Sequence, residues 1–298
     1  MTNISIPTPE IIIKDAQAME NIHWEDCILL LKLGAREIQW GLYKKETRYF
    51  IRLCSYVFEG NADDQEFLGR LNAIFTENDI RIDRCSEVRV LMDTPFYTVV
   101  PEAFFDEKMK AQYFTALYGD MVGLDVSVDN MESSEMRLIF GLRTDLMAYL
   151  KAKFDRVSVM HTQSLLINNM DQHLVKGSVV YLDLSPSSIA LSVFSDEEPL
   201  LFQTYNTPEN LDIIYHLLNA KKTLGLADNA ILYLCGNDKN EALIREKAGA
   251  GFEEIYWLDR PKGGLYPKEM DEFPSHYFYH LLSLALCESS VENLEEGE

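Results

Sequence analysis

The chain has no CxxC pair and no apolar run approaching the roughly 20 residues that span a bilayer, and it is poor in basic charge. Each shortage excludes something. Five cysteines without close pairing (Cys27, Cys54, Cys85, Cys235 and Cys287) suit neither a zinc ribbon nor a redox motif. An odd number in mostly apolar surroundings reads as free, buried thiols in a reducing compartment. Only 27 Lys and Arg stand against 48 Asp and Glu, and the net charge of −21 repels phosphate backbones and anionic lipid. No nucleic-acid partner and no direct membrane insertion are therefore expected. GxSxG, GxxxxGK[ST] and GxGxxG are also missing, which removes the minimum residues of an α/β-hydrolase, a P-loop and a Rossmann site. The opening MTNISIPTPE has no basic stretch ahead of an apolar core, so no secretory signal is expected and the expected location is cytoplasmic.

What is present points to an ordinary folded chain. At 298 residues, 47% hydrophobic and 25% charged, two domains are the natural expectation. Residues 31–54 and 182–205 align without a gap, 151 positions apart. Leu33 falls on Leu184, Ile38 on Ile189, Leu42 on Val193, Tyr43 on Phe194 and Phe50 on Leu201. The polar turn at residues 44–47 falls on the one at 195–198. Such a fixed offset implies one supersecondary unit used twice.

Each copy reads in the same order. A short apolar run (from Cys27, and again from Ser178) is too brief for a helix and leads into an alternating hairpin. A helix then follows from Asp63 or Asp64 in the first copy and from Pro208 to Leu224 in the second, where Gly225 ends it. A further strand closes each unit, at residues 87–92 and 230–235. Between the copies the pattern predicts helices at 103–118, 145–154 and 164–170 and strands at 136–141 and 157–160. After the second come a helix at 239–248, a strand at 254–258 and a final helix at 274–287. The expected class is α/β, with mixed sheets and flanking helices. Its boundaries are a first lobe at 1–173, a second at 174–273, a terminal helix at 274–288 packing back on the first lobe, and an acidic tail at 289–298.

This order of elements resembles the actin-like ATPase (ribonuclease H-like) fold, a duplicated fold of two lobes. Within that superfamily it resembles the type IV pilus assembly protein PilM family, and more closely a group of uncharacterised bacterial proteins with a degenerate actin-like fold. The resemblance implies nucleotide bound between lobes, with each hairpin turn carrying D-x-G. Glycine lets the backbone N–H groups approach phosphate, and the aspartates serve Mg²⁺ or the nucleophile.

At those positions the chain departs from the pattern. The first aspartate position is Lys32, with Gly34 kept. The second keeps Asp183 but follows it with Ser185 and Pro186, and proline has no N–H to donate. The position of a helix-borne acid reads His161-Thr162-Gln163-Ser164, without a carboxylate. The adenosine turn is Cys235-Gly236-Asn237-Asp238, with a single glycine. The resemblance thus assigns Lys32, Gly34, Asp183, Ser185, Ser188 and Gly236 to a degenerate cleft, with no catalytic residue, no metal site and no bound cofactor, ATP included.

Read residue by residue, Lys32 is a partly solvated strand-end lysine, or a phosphate contact helped by Arg36. Asp183 hydrogen-bonds Ser185 and Ser188. His276 and His280, four apart, are ordinary helix residues, since no glutamate or third ligand accompanies them. The reading is a non-enzymatic actin-like scaffold or adaptor working through an unidentified protein partner. Two alternatives stay open: a non-hydrolysing nucleotide or phosphometabolite binder using Lys32, Gly34 and Asp183, and an active ATPase or kinase using Asp238 or Asp259 as a rearranged acid.

Overall fold

The computed structural model describes residues 8–60, 64–78, 80–81, 84–170, 177–207, 209–236 and 241–287. The first lobe comprises β1 (Ile11–Lys14), α1 (Ala16–Glu20), β2 (Cys27–Gly34), β3 (Glu37–Lys44), β4 (Tyr49–Val57), α2 (Asp64–Glu77) and β5 (Glu87–Asp93). An inserted unit follows, made of β6 (Tyr97–Pro101), α3 (Lys110–Tyr118), β7 (Leu124–Met131) and β8 (Met136–Arg143). Helix α4 (Thr144–Lys153) and strand β9 (Val157–His161) complete the lobe, and α5 (Thr162–Asn168) leads out of it. The second lobe holds β10 (Ser178–Ser185), β11 (Ser188–Ser195), β12 (Glu198–Asn206), α6 (Asn210–Leu224), β13 (Ile231–Gly236), α7 (Glu241–Ala248) and β14 (Glu254–Trp257); α8 (Tyr279–Leu286) follows it.

The sheets declare the duplication. The first has order β1-β4-β3-β2-β5-β9 and the second β12-β11-β10-β13-β14, so the two match strand for strand apart from the added edge strand β1. In both, the first three strands of the unit are antiparallel and the last two run parallel to the first. The inserted unit is a separate sheet, β6-β8-β7. Because β2 and β10 are central and covered on both faces, they read as near-continuous apolar runs.

The gapless alignment holds only as far as the second turn. Strands β2 and β3 map onto β10 and β11 at the offset of 151, and Ile38 and Ile189 occupy equivalent places. The first copy then turns through residues 45–48, with Arg48 at φ +53°, whereas the second uses only Asp196 and Glu197, at φ +48° and +73°. That is the two-residue hairpin geometry in which both central residues take positive φ. Past the turn the offset is 149: Phe50 pairs with Tyr43, but the residue pairing with Phe194 is Pro199, not Leu201. A slip of two keeps every side chain on its face, so the apolar pattern conceals the change. Both copies carry a register irregularity at the same place, Leu42/Tyr43 and Val193/Phe194.

The expected helix at 103–118 is broken into two short 3₁₀ turns (Glu102–Phe104, Glu107–Met109) before α3. The strands β1, β6 and β7 were not anticipated. The last helix is shorter than its pattern: Pro274 to Phe278 form turns, and only Tyr279–Leu286 is helical. His276, expected as an ordinary helix residue, lies in the turn before α8, where it is buried and stacks on Trp257 with ring centroids 3.9 Å apart. The possible cap Asp63, the Asn237-Asp238 turn and the acidic tail lie outside the described residues, as does Pro208, expected to open α6. That helix starts at Asn210, with Glu209 and Asp212 forming a capping box, and Gly225 does end it, in the left-handed conformation. Among the described residues no helix is long and apolar enough to cross a membrane.

Two helices couple the lobes. Helix α8 and the residue before it seat Phe278, Leu281 and Leu282, all fully buried, among Ile28, Leu30, Phe50 and Leu91 of the first sheet, while Tyr279 joins a core that also holds Val179 and Tyr181 of the second. The guanidinium of Arg89 closes the C-terminal end of α8, donating from Nη1 to the carbonyls of Leu284 (3.2 Å), Ala285 (3.3 Å) and Cys287 (3.0 Å). Helix α5, buried from Thr162 to Ile167, is capped by an imidazole: the Gln163 amide donates to His161 Nδ1 at 3.1 Å. Nε2 therefore carries the proton and donates to the Thr94 carbonyl at 2.9 Å. The amide of His161 donates in turn to Asp129 Oδ2 at 2.7 Å. Burial pushes Asp129 up to about 7 and His161 down to about 4.

Two outcomes are expected from this packing. Leu282→Ala removes a fully buried side chain from the seat of α8 and should cost roughly 2–5 kcal/mol, seen as a lower urea midpoint for the whole chain. For Asp129 the raised folded value means that the unfolded chain releases its proton first. Stability present below pH 3.8 is therefore lost as pH rises towards about 7. Asp129→Asn abolishes that loss while leaving an acceptor for the His161 amide, so it should gain on the parent by up to about 4 kcal/mol near pH 8. The gain should shrink towards acid. His161 acts in the opposite sense, losing stability as pH falls from 6.5 to about 4, but it is common to both proteins and cancels in the comparison of urea midpoints.

Candidate functional site

The duplicated hairpins bring the ends of β2 and β10 together, and the last residues of β5 and β13 lie beside them in parallel register. Gly34 pairs with Asp93, and Asp183 with Cys235. Lys32 and Gln39 are opposite each other, so Glu37, two residues back along β3, lies diagonally across the same face. The Lys32 ammonium sits 2.9 Å from Glu37 Oε2 and 3.5 Å from Asp93 Oδ2. It is 1% exposed. The expectation of a partly solvated lysine is therefore wrong: two carboxylates permit full burial of the charge. Burial alone would depress the ammonium, but Glu37, Asp93 and Asp183 outweigh it and hold Lys32 above its ordinary range. Gln39 Nε2 donates to Glu37 Oε1 at 3.0 Å, fixing the other carboxylate oxygen.

The second lobe joins this network through Ser185, whose hydroxyl donates to Asp93 Oδ2 at 2.7 Å. Gly34 makes room for it: a Cβ there would lie 3.3 Å from that same oxygen. Gly236 is required more strictly. It has φ +91°, and a Cβ would collide with the backbone of Leu184.

Asp183 does not hydrogen-bond Ser185 or Ser188 as expected, because Ser185 is drawn to the other lobe. Its Oδ2 accepts from Gln163 Nε2 at 3.1 Å and lies 3.1 Å from His280 Nε2, and its Oδ1 accepts from Cys235 Sγ at 3.6 Å. Gln163 is fixed from its other end, where Oε1 accepts from Ser192 Oγ at 2.9 Å. Burial works against ionisation of Asp183, yet His280 and Lys32 hold its carboxyl below the ordinary value. Burial and the Asp183 charge push the Cys235 thiol well up.

Of the six residues assigned by sequence, Lys32, Gly34, Asp183, Ser185 and Gly236 meet at this junction. Ser188 starts β11 as the register partner of Ser185. Arg36 turns away, donating from Nε to the Phe58 carbonyl at 3.0 Å. Asp259 is exposed and accepts from the Arg260 amide at 2.8 Å, and Asp238 lies outside the described residues. Sequence reasoning missed Glu37, Asp93 and His280. Glu37 carried a legible signal, opposite charge at a diagonal cross-strand position. Asp93 required the parallel register of β5, and His280 required the placement of α8.

The sequence matches the family described as Protein of unknown function (DUF3822) over residues 16–250. No curated protein matches it. Among solved structures the chain is similar to a Bacteroides thetaiotaomicron protein with actin-like ATPase fold and unknown function. Identity is 16% and the TM-score 0.71, over 89% of this chain and 97% of that one. It is also similar to a chain of the PilM–PilN type IV pilus biogenesis complex, at 12% identity and a TM-score of 0.56, over 87% of this chain and 97% of that one. Identities this low carry the fold and not the chemistry. With its family model spanning most of the sequence and two hairpin-led lobes facing each other across Lys32 and Asp183, the chain belongs to the DUF3822 family and has the duplicated actin-like ATPase fold.

Proposed function

We propose that this protein is a non-enzymatic, actin-like scaffold or adaptor acting through a protein partner, and that its own side chains stand where the fold would otherwise hold phosphates. The observation that carries this is the Lys32 ammonium, enclosed between Glu37 and Asp93 at the hairpin junction, with Ser185 of the other lobe bonded to Asp93. An ammonium there disfavours Mg²⁺, and the three carboxylates of Glu37, Asp93 and Asp183 disfavour a bare phosphate. Pro186 removes a backbone donor from the second turn.

A phosphometabolite binder would have to pull Lys32 out of two buried ion pairs, which costs several kcal/mol. A rearranged ATPase would depend on Asp259, which is exposed and occupied by its neighbour's amide, or on Asp238. Partner binding draws support from PilM, a structural neighbour solved together with PilN. Free thiols and an acidic composition fit a cytoplasmic setting.

Two results are expected. Mg-ATP should leave the melting temperature unchanged, since a ligand that binds the folded state would raise it, and the pure protein should show no turnover. Steady hydrolysis abolished by Asp183→Asn would overturn the proposal. Lys32→Met should destabilise the chain by roughly 3–5 kcal/mol because it strands Glu37 without its cation, and urea denaturation measures this. A variant as stable as the parent would show that the ion pair does not hold the junction.

A further inference from the structure

We propose that Asp183, Cys235 and His280 form a buried binding site for one Zn²⁺ ion at the junction of β10, β13 and α8. The three side chains converge from different elements. Asp183 and Cys235 are register partners on the parallel strands β10 and β13, and His280 comes from the first turn of α8. All three are buried, and one ligand atom from each lies within 4.8 Å of the others. Cys235 Sγ is 3.6 Å from Asp183 Oδ1, and His280 Nε2 is 3.1 Å from Asp183 Oδ2. Tetrahedral zinc, with sulfur at about 2.3 Å and nitrogen or oxygen at about 2.0 Å, sets its ligands about 3.3–3.5 Å apart. The two short approaches use different oxygens of Asp183, so whichever oxygen is the ligand, one edge is already close to length, and the set as a whole lies within 4.8 Å.

A second observation is independent of that spacing. His280 Nε2 is buried and, although near the carboxylate, lies off the line of a hydrogen bond and has no such partner among the described residues. A metal ion placed between the two side chains would take up the imidazole lone pair in place of that poorly aligned contact. Charge also balances. Zn²⁺ with one thiolate, one carboxylate and a neutral imidazole is neutral overall, so it can be buried without a further counter-ion. On binding, the Cys235 thiol releases its proton to solvent.

The surroundings suit a metal as well. Gln163, clamped by Ser192, donates to Asp183 and would hold the ligating carboxylate in place. Gly236 lets the end of β13 close against β10 beside Cys235. Thiolate and imidazole select a zinc-type ion over Mg²⁺, which takes oxygen ligands. The site is therefore not a remnant of Mg-phosphate chemistry, and it stands or falls apart from the scaffold reading.

The test uses the full chain carrying Cys85→Ser and Cys287→Ser, so that the two less buried thiols cannot take metal. Expressed with zinc and dialysed against metal-free buffer, it should retain about one zinc per chain by elemental mass spectrometry. Added singly, Cys235→Ser and His280→Asn should each weaken zinc by about 100-fold or more in competition with a chelating dye. Refolding from urea with Co²⁺ gives a reading that does not need those variants to fold. It should produce a thiolate-to-cobalt charge-transfer band in the near ultraviolet and the intense visible bands of tetrahedral cobalt. Zinc lost on dialysis, cobalt without the charge-transfer band, or zinc retained equally after both Cys235→Ser and His280→Asn would each overturn the proposal.

Discussion

The arrangement of the cleft depends on one buried charge. Taking an ammonium out of water costs several kcal/mol even after the protein relaxes, and only well-placed carboxylates offset that cost. Lys32, at 1% exposure, imposes this demand on its neighbours. Glu37 must reach diagonally across the first hairpin, and Asp93 must close from the adjoining parallel strand. Asp93 in turn is held by a hydroxyl from the other lobe. The residue two places after Lys32 is a glycine because a side chain would press on that carboxylate. The ends of the two hairpins thus form an ion-pair site that ties two lobes together.

The same lobes are joined a second time by α5 and α8, which cross between the sheets with no solvent-facing side on α5 and almost none on α8. Four polar groups tie these helices to their surroundings. An imidazole caps the start of α5, a guanidinium closes the end of α8, and Gln163 and His280, one from each helix, both reach Asp183. Asp183 therefore reports on both helices and both sheets at once. Its burial with three neighbours drawn from α5, β13 and α8 makes it a structural centre of the molecule.

Much of this was legible in the sequence, for identifiable reasons. Central strands such as β2 and β10 are covered on both faces, so their apolar runs are unbroken and the repeat stands out. The turn positions Lys32, Gly34, Asp183 and Ser185 follow directly from it. The change of offset after the second turn was invisible because a two-residue slip preserves the alternation of faces. The inserted strands β6 and β7 were missed because β7 reads LDVSVDNM, half-exposed and dotted with acids, a weak strand signal on its own. The full burial of Lys32 and the role of His280 could not be read. Each depends on a partner more than 50 residues away, Asp93 for one and Asp183 for the other, brought close by parallel pairing and by the return of α8.

If the Lys32 ammonium is a fixed part of the protein and not a ligand contact, nitrogen-resolved NMR of lysine side-chain ammonium groups will show it directly. One ammonium signal should be sharp and protected from exchange with water, should vanish in Lys32→Met, and should keep its position when Mg-ATP is added. A Lys32 signal that exchanges as fast as those of surface lysines, or that moves on adding nucleotide, would contradict the account.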